Sequence, residues 1–140
     1  MVDRPISLAA LTVLELAPPD MVSVAAQCGY SHIGLRPIAA TPDEAHFPLL
    51  ADAALRRETM ARLRDLGIGV LDIEILRLRP DVVVQDYEAA LAFGAQCGAQ
   101  FALVAGNDPD RARMADNLAA LCALAAPYNI RPHLEFMPWT

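Results

Sequence analysis

Gly67-Ile68-Gly69-Val70-Leu71-Asp72-Ile73-Glu74-Ile75-Leu76 (residues 67–76) lies at the middle of the chain and carries the reading of its fold. Gly67 closes an arginine-studded, helix-like segment, and Val70–Leu76 follows as an apolar strand. Strict alternation puts Val70, Asp72, Glu74 and Leu76 on one face and Leu71, Ile73 and Ile75 on the other. Two acids on a central parallel strand are costly beneath a helix. They are tolerable facing the polar mouth of a barrel.

The same helix-cap-strand order recurs along the chain. Ala25–Gly29 precedes a strand near Ile33–Ile38, Ala95–Gly98 precedes Phe101–Ala105, and Pro127–Asn129 precedes Pro132–Phe136. Cap positions 29, 67, 98 and 129 are 38, 31 and 31 residues apart, the length of one βα unit. Glycine, and less often asparagine, stands there because the residue closing a helix needs a positive φ. A first strand is expected at Ile6–Leu14.

The helices are expected near residues 18–28, 52–66, 81–97 and 108–125. In the first, Met21, Val24, Ala25 and Cys28 share a face. The last starts with Asp108 as N-cap, Pro109 at the first helical position and Asp110 in the first turn. Its stripe of Met114, Leu118, Leu121, Cys122 and Ala125 reads as core. In the long connection Ala39–Leu50, His46 with Asp43 and Glu44 reads as solvated loop in preference to a lid.

Composition narrows the function. Hydrophobic residues make up 55% of the chain, the excess that strands covered on both faces produce. No apolar run approaches the roughly 20 residues of a membrane span. No basic start leads into Ile6–Leu14 as a signal peptide requires, so a cytoplasmic protein is expected. A net charge of −6 argues against a nucleic-acid surface. All eleven basic residues are arginine, which removes lysine Schiff-base chemistry and a phosphate-loop lysine. The cysteines, Cys28, Cys97 and Cys122, have no CxxC spacing and are expected as reduced core residues.

Two architectures fit β(αβ)₄ over a single domain of residues 1–140: a five-stranded doubly wound sheet, or the first half of an eight-stranded βα barrel. The first turn, Leu14–Pro19, has no glycine for a nucleotide fingerprint, which favours the barrel. In both, working groups gather at the carboxyl ends of the strands. Those ends supply Arg36, Glu74, Arg77, Asn107, His133 and Glu135. Glu135 is either a metal ligand or acid/base, or a partner of Arg36 or Arg131. Glu74 either binds a substrate hydroxyl or pairs with Arg36 or Arg77. Arg36 either grips an anion or forms a structural ion pair. Asn107 either meets substrate or serves the turn into helix four, and His133 is either a substrate contact or a packed neighbour.

Gly34-Leu35-Arg36-Pro37, Leu71-Asp72-Ile73-Glu74 and above all His133-Leu134-Glu135-Phe136-Met137-Pro138-Trp139 resemble the sugar phosphate isomerase/epimerase family, the xylose-isomerase-like βα barrels. The resemblance runs through the family's fifth strand. It implies that Glu135 is the first of four ligands to one divalent cation (Mn, Mg, Co or Zn), with the other three on strands six to eight. It implies Glu135 and Glu74 as acid and base moving a carbon-bound proton of a hydroxy-ketone. Arg36, Asn107, His133 and Trp139 are the substrate-binding candidates.

The expected activity is that of an isomerase or epimerase. A dehydratase acting on a hydroxy-keto acid and a non-enzymatic doubly wound binding domain are the alternatives. The expected partner is a small sugar or hydroxy-keto acid, not nucleic acid or membrane. The 140-residue chain is expected to be catalytically silent by itself and to associate with copies of itself through exposed strand edges.

Overall fold

The computed structural model describes residues 4–135. Five strands alternate with four helices: β1 (Ser7–Leu8), α1 (Pro18–Gln27), β2 (His32–Leu35), α2 (Ala53–Leu66), β3 (Gly69–Leu78), α3 (Glu88–Gln96), β4 (Phe101–Gly106), α4 (Arg111–Ala125) and β5 (Arg131–Glu135). All neighbouring strands are parallel, in the order β1-β2-β3-β4-β5. A doubly wound sheet would place β1 inside, with helices on both faces. Here β1 is an edge. Right-handed crossovers between successive strands put every helix on the same side. The doubly wound alternative is therefore overturned, and the sheet is a βα-barrel segment.

Local chemistry sets the helix ends as read. Gly29, Gly67 and Gly98 have φ of 80°, 67° and 82°, and Asn129 has φ of 55°. The one asparagine is the side chain best able to tolerate that region. The start of α4 differs from expectation. Asp110, not Asp108, is its N-cap, accepting from the N–H groups of Ala112 and Arg113 at 3.0 and 3.1 Å. Asp108 is buried instead, and Arg113 grips both its oxygens through Nε and Nη2 at 2.6 and 2.7 Å. The third helix also starts late: a 3-10 turn at Val84–Tyr87 precedes α3.

The expected nine-residue first strand shrinks to two, followed by a 3-10 turn at Ala10–Val13. The cause is tertiary. The Ala10 N–H is taken by the Glu74 carboxylate, so it is lost to a sheet ladder. β2 stops at Leu35, just before Arg36-Pro37, where proline offers no N–H.

The side-chain pattern of β3 is the largest departure. Against β2, Ile33 faces Val70 but Gly34 faces Asp72, so Leu71 is extra. Against β4, Ile73 faces Ala102 and Leu76 faces Val104, so two β3 residues oppose Leu103. Each irregularity is a bulge that slips the alternation. Val70, Ile73, Leu76 and Leu78 therefore join the main core, with Leu8, Ile33, Leu35, Ala102 and Val104 from the other strands. The same core takes Met21, Val22, Leu63, Leu91, Phe93 and Leu121 from the helices. Asp72, Glu74 and Ile75 lie on the opposite, inner face, where Ile75 meets Ala40 and Ala105. Strict alternation wrongly grouped Val70 and Leu76 with the acids.

All three cysteines are free and Cys97 packs against the main core as expected, but Cys28 and Cys122 do not. Cys28 and Cys122 are exposed and Cys97 is half-buried. Cys28 caps α1 beyond its buried face. On α4 the packed stripe runs through Leu121, Leu124 and Ala125, leaving Cys122 outside it. The long connection is not a solvated loop throughout: Leu49 is fully buried and Glu44 is held by Arg36. Among the described residues no helix is long and apolar enough to cross a membrane.

Candidate functional site

On the inner face of the sheet four charged side chains converge, Asp72 and Glu74 from β3 and Arg36 and Glu44 from the segment after β2. Glu74 is buried, and its Oε1 accepts from the Ala10 N–H. Its Oε2 lies 3.7 Å from Arg36 Nη2, while Arg36 Nη1 donates to Glu44 Oε1 at 2.5 Å. Glu44 in turn accepts from the Ala40 N–H at 2.6 Å. Arg36 is thus clamped between two carboxylates with only 9% of its side chain exposed. Asp72 stands one step down β3 from Glu74. Gly34 on β2 makes room for both acids: a Cβ there would lie 2.5 Å from Asp72 Oδ1 and 3.0 Å from Glu74 Oε1.

These contacts tune the acids. Burial, the largest effect, raises the pKa of Glu74. The Ala10 N–H, the Arg36 cation and the Leu11 N–H pull it back down, and the charge of Glu135 pushes it up again. Burial and then the neighbouring Glu74 raise Asp72 from the ordinary carboxylate range to about 6.

A group with a raised folded pKa binds its proton more readily in the native state, so its contribution favours folding at low pH. For Asp72 that contribution is present below about pH 4 and is lost as pH rises through about 6. Asp72→Asn is therefore expected to raise stability at pH 8 by about 1–2 kcal/mol, a figure reduced for the carboxyl's partial exposure. At pH 4 it should change little. Urea unfolding at the two pH values checks this, and an equal effect at both would refute it.

The other candidates fall at different levels. Glu135 ends β5, paired in register with Ala105, and forms no ion pair with Arg36 or Arg131. Asn107 follows β4, and its Oδ1 accepts from Arg77 Nη1 at 3.0 Å. It positions an arginine, a role the sequence did not suggest. His133 sits two residues below Glu135 on β5, exposed, with its ring 4.4 Å from that of Phe101. By register it stands opposite Leu103, the residue that faces Glu74 and Ile75 of β3. Trp139 lies outside the described residues.

Sequence reasoning missed Glu44 and Asp72 as members of the cluster, and Tyr87 as a clamp on Arg77. The Tyr87 hydroxyl donates to the Arg77 carbonyl at 2.7 Å and accepts from its N–H at 3.1 Å. The acid pair was visible as Asp72-x-Glu74, but nothing local tied Glu44 or Tyr87 to it.

Could a divalent cation be held here? Among the described residues no three His, Cys, Asp or Glu side chains converge to hold one. Glu74 does not fit as a ligand, because its oxygens are engaged by backbone N–H and Arg36. Glu135 fits as one hard oxygen donor, and further ligands would come from outside residues 4–135.

A parallel sheet ordered one to five, with all its helices on one side and its acids on the other, defines a βα-barrel segment. No protein-family profile and no curated protein matches the chain. Solved structures do. The xylose isomerase-like TIM barrel/4-hydroxyphenylpyruvate dioxygenase fusion protein superposes with a TM-score of 0.72 at 19% identity, over 95% of this chain and 22% of that one. A xylose isomerase domain containing protein from Salmonella typhimurium gives 0.66 at 12% identity, over 91% and 47%. An uncharacterized protein from Parabacteroides distasonis gives 0.71 at 14% identity, over 98% and 55%. The chain thus spans about half the length of two of these structures and less of the fusion protein. At these identities the likeness establishes the fold alone, part of a TIM barrel.

Proposed function

We propose that the chain forms one wall of a sugar isomerase/epimerase-type site that moves a carbon-bound proton of a hydroxy-ketone. What supports the reading is that Glu74 and Glu135 stand on strands of one parallel sheet, Glu135 level with Arg77, three residues beyond Glu74 on β3, and that the charge of Glu135 pushes the Glu74 pKa up. Two carboxylates flanking a substrate carbon can serve as base and acid. Glu74 is suited to hold a proton at its carboxyl, since burial disfavours its charged form. Arg36 and the Ala10 N–H fix where that carboxyl points. Glu135 is the donor through which this wall would share a divalent cation, Mn, Mg, Co or Zn. When bound, the cation supplies polarisation of the substrate carbonyl. A second copy or a further strand would add at the edges β1 and β5, where Ile6, Leu11 and Leu14 are exposed beside β1.

The test has two readouts. Mn²⁺ titrated into the isotope-labelled chain should broaden the resonances of Ala105 and Glu135 selectively, and Glu135→Gln should abolish that broadening. In a closed barrel built on this chain with strands six to eight supplied, solvent deuterium should enter dihydroxyacetone. Glu135→Gln should slow that exchange by about 100-fold or more. Unselective broadening, together with exchange indifferent to Glu135, would refute the proposal.

A further inference from the structure

The segment joining β2 to α2 is anchored firmly at its two ends and lightly between them. Pro37 and Leu49 are fully buried, and Arg56 Nη1 donates to the Leu49 carbonyl at 3.2 Å. Between these feet Thr41, Pro42, Asp43, Ala45 and His46 are exposed. What holds residues 40–46 to the sheet centres on Ala40 and Glu44. The Ala40 N–H donates to Glu44 Oε2 at 2.6 Å, and its carbonyl accepts from Arg79 Nη2 at 3.0 Å. Ala40 also packs with Ile75 and Ala105. Here the segment forms one wall of a cavity of about 340 Å³, whose other wall includes Ile75, Arg79 and Tyr87.

Glu44 is itself held by a shared group. Arg36 Nη1 sits on Glu44 Oε1 at 2.5 Å, while Nη2 stands 3.7 Å from Glu74 Oε2, beyond hydrogen-bond reach. Arg36 Nε is buried and has no acceptor among the described residues. The guanidinium therefore serves Glu44 better than Glu74, and its own hydrogen bonds do not lock it there. An ionised Glu74 attracts it across, because enclosed charges act strongly on one another. A neutral Glu74 leaves it to Glu44.

We infer that Glu44 is a positioning residue that competes with Glu74 for Arg36, so that residues 40–46 tighten on the inner face when Glu74 is neutral and loosen when it is charged. The coupling needs only the charge of Glu74; its use during proton transfer rests on the function proposed above. There the segment closes while Glu74 holds the proton and relaxes once the proton has left. The charged groups acting on this exchange are Arg36 and Glu44 from the segment itself, Asp72 beside Glu74 on β3, and Glu135 on β5. Coupling of this kind is reciprocal: what holds Glu44 in place also biases Glu74.

Hydrogen exchange of the Ala40 amide in the 140-residue chain reads the segment directly, since that N–H is spent on Glu44. Glu74→Gln, on a strand that Ala40 does not hydrogen-bond, should slow this exchange about fivefold or more. Glu44→Gln should speed it, and adding Glu74→Gln to Glu44→Gln should bring no slowing. If Glu74→Gln does not fold, an Asp72→Asn chain keeps Glu74 and loses the neighbouring carboxyl that titrates near pH 6. In it, Ala40 protection, corrected for intrinsic exchange, should be higher at pH 5 than at pH 8, as Glu74 takes up its proton. Ala40 exchange unchanged or faster in Glu74→Gln, slowing that survives in Glu44→Gln, or protection equal at the two pH values would each overturn the inference. No substrate, metal or Glu135 variant enters these measurements, so their failure and that of the proton transfer are read separately.

Discussion

Arg36→Met is expected to destabilise the fold by about 3–5 kcal/mol at pH 7, the cost of removing one partner from a buried charge network. The guanidinium is the described cation placed between Glu44 and Glu74, and it lowers the pKa of Glu74 against its burial. Without it, Glu44, Glu74 and Asp72 would face one another across a half-enclosed space that Gly34 keeps open. The pH dependence follows from the same charges. Protonation of the carboxylates at low pH removes their repulsion, so the deficit should be largest near pH 8 and shrink toward pH 4. Urea unfolding across that range is the measurement. A loss below about 1 kcal/mol at pH 7 would place the pair among the exposed bridges that contribute little, and the clamp would then be unimportant to folding.

The second large effect tests the slipped register of β3. Leu76 is fully buried among core side chains, whereas its neighbour Ile75 lies on the inner face with Ala40 and Ala105. Leu76→Ala should cost about 3–5 kcal/mol, the upper range for a truncated core leucine. Ile75→Ala should cost less than half of that, because it borders an open cavity whose walls can relax. The reverse order would restore strict alternation, with Ile75 beneath the helices and Leu76 beside the acids. That result would also move Glu74 relative to Glu135 and weaken the proposed function.

Both predictions concern features that the residues disclosed only in part. The presence of acids on a central strand was plain from Asp72-x-Glu74, and the barrel follows from it correctly. Their neighbours were not plain. Arg36 and Glu44 are eight residues apart, yet nothing in the loop between them marks Glu44 rather than Asp43 as the partner. Asn107 looked like part of a turn into α4, and its side chain instead holds Arg77, 30 residues away. Asp108 and Asp110 are two acids before one helix, and either could cap it by local rules. The choice fell to Asp110 because Arg113 draws Asp108 inward.

From its residues alone the chain is legible as four βα repeats, with caps at positions 29, 67, 98 and 129. Each cap depends on the φ of one residue and on the helix just before it, and such short-range sterics are written locally. Strand order, the two bulges of β3 and the row joining Arg77 to Glu135 depend on which backbone groups pair across the sheet. That pairing is settled when helices and strands pack together. A shift of a single position then exchanges the inner and outer faces of a strand, which no local pattern can register.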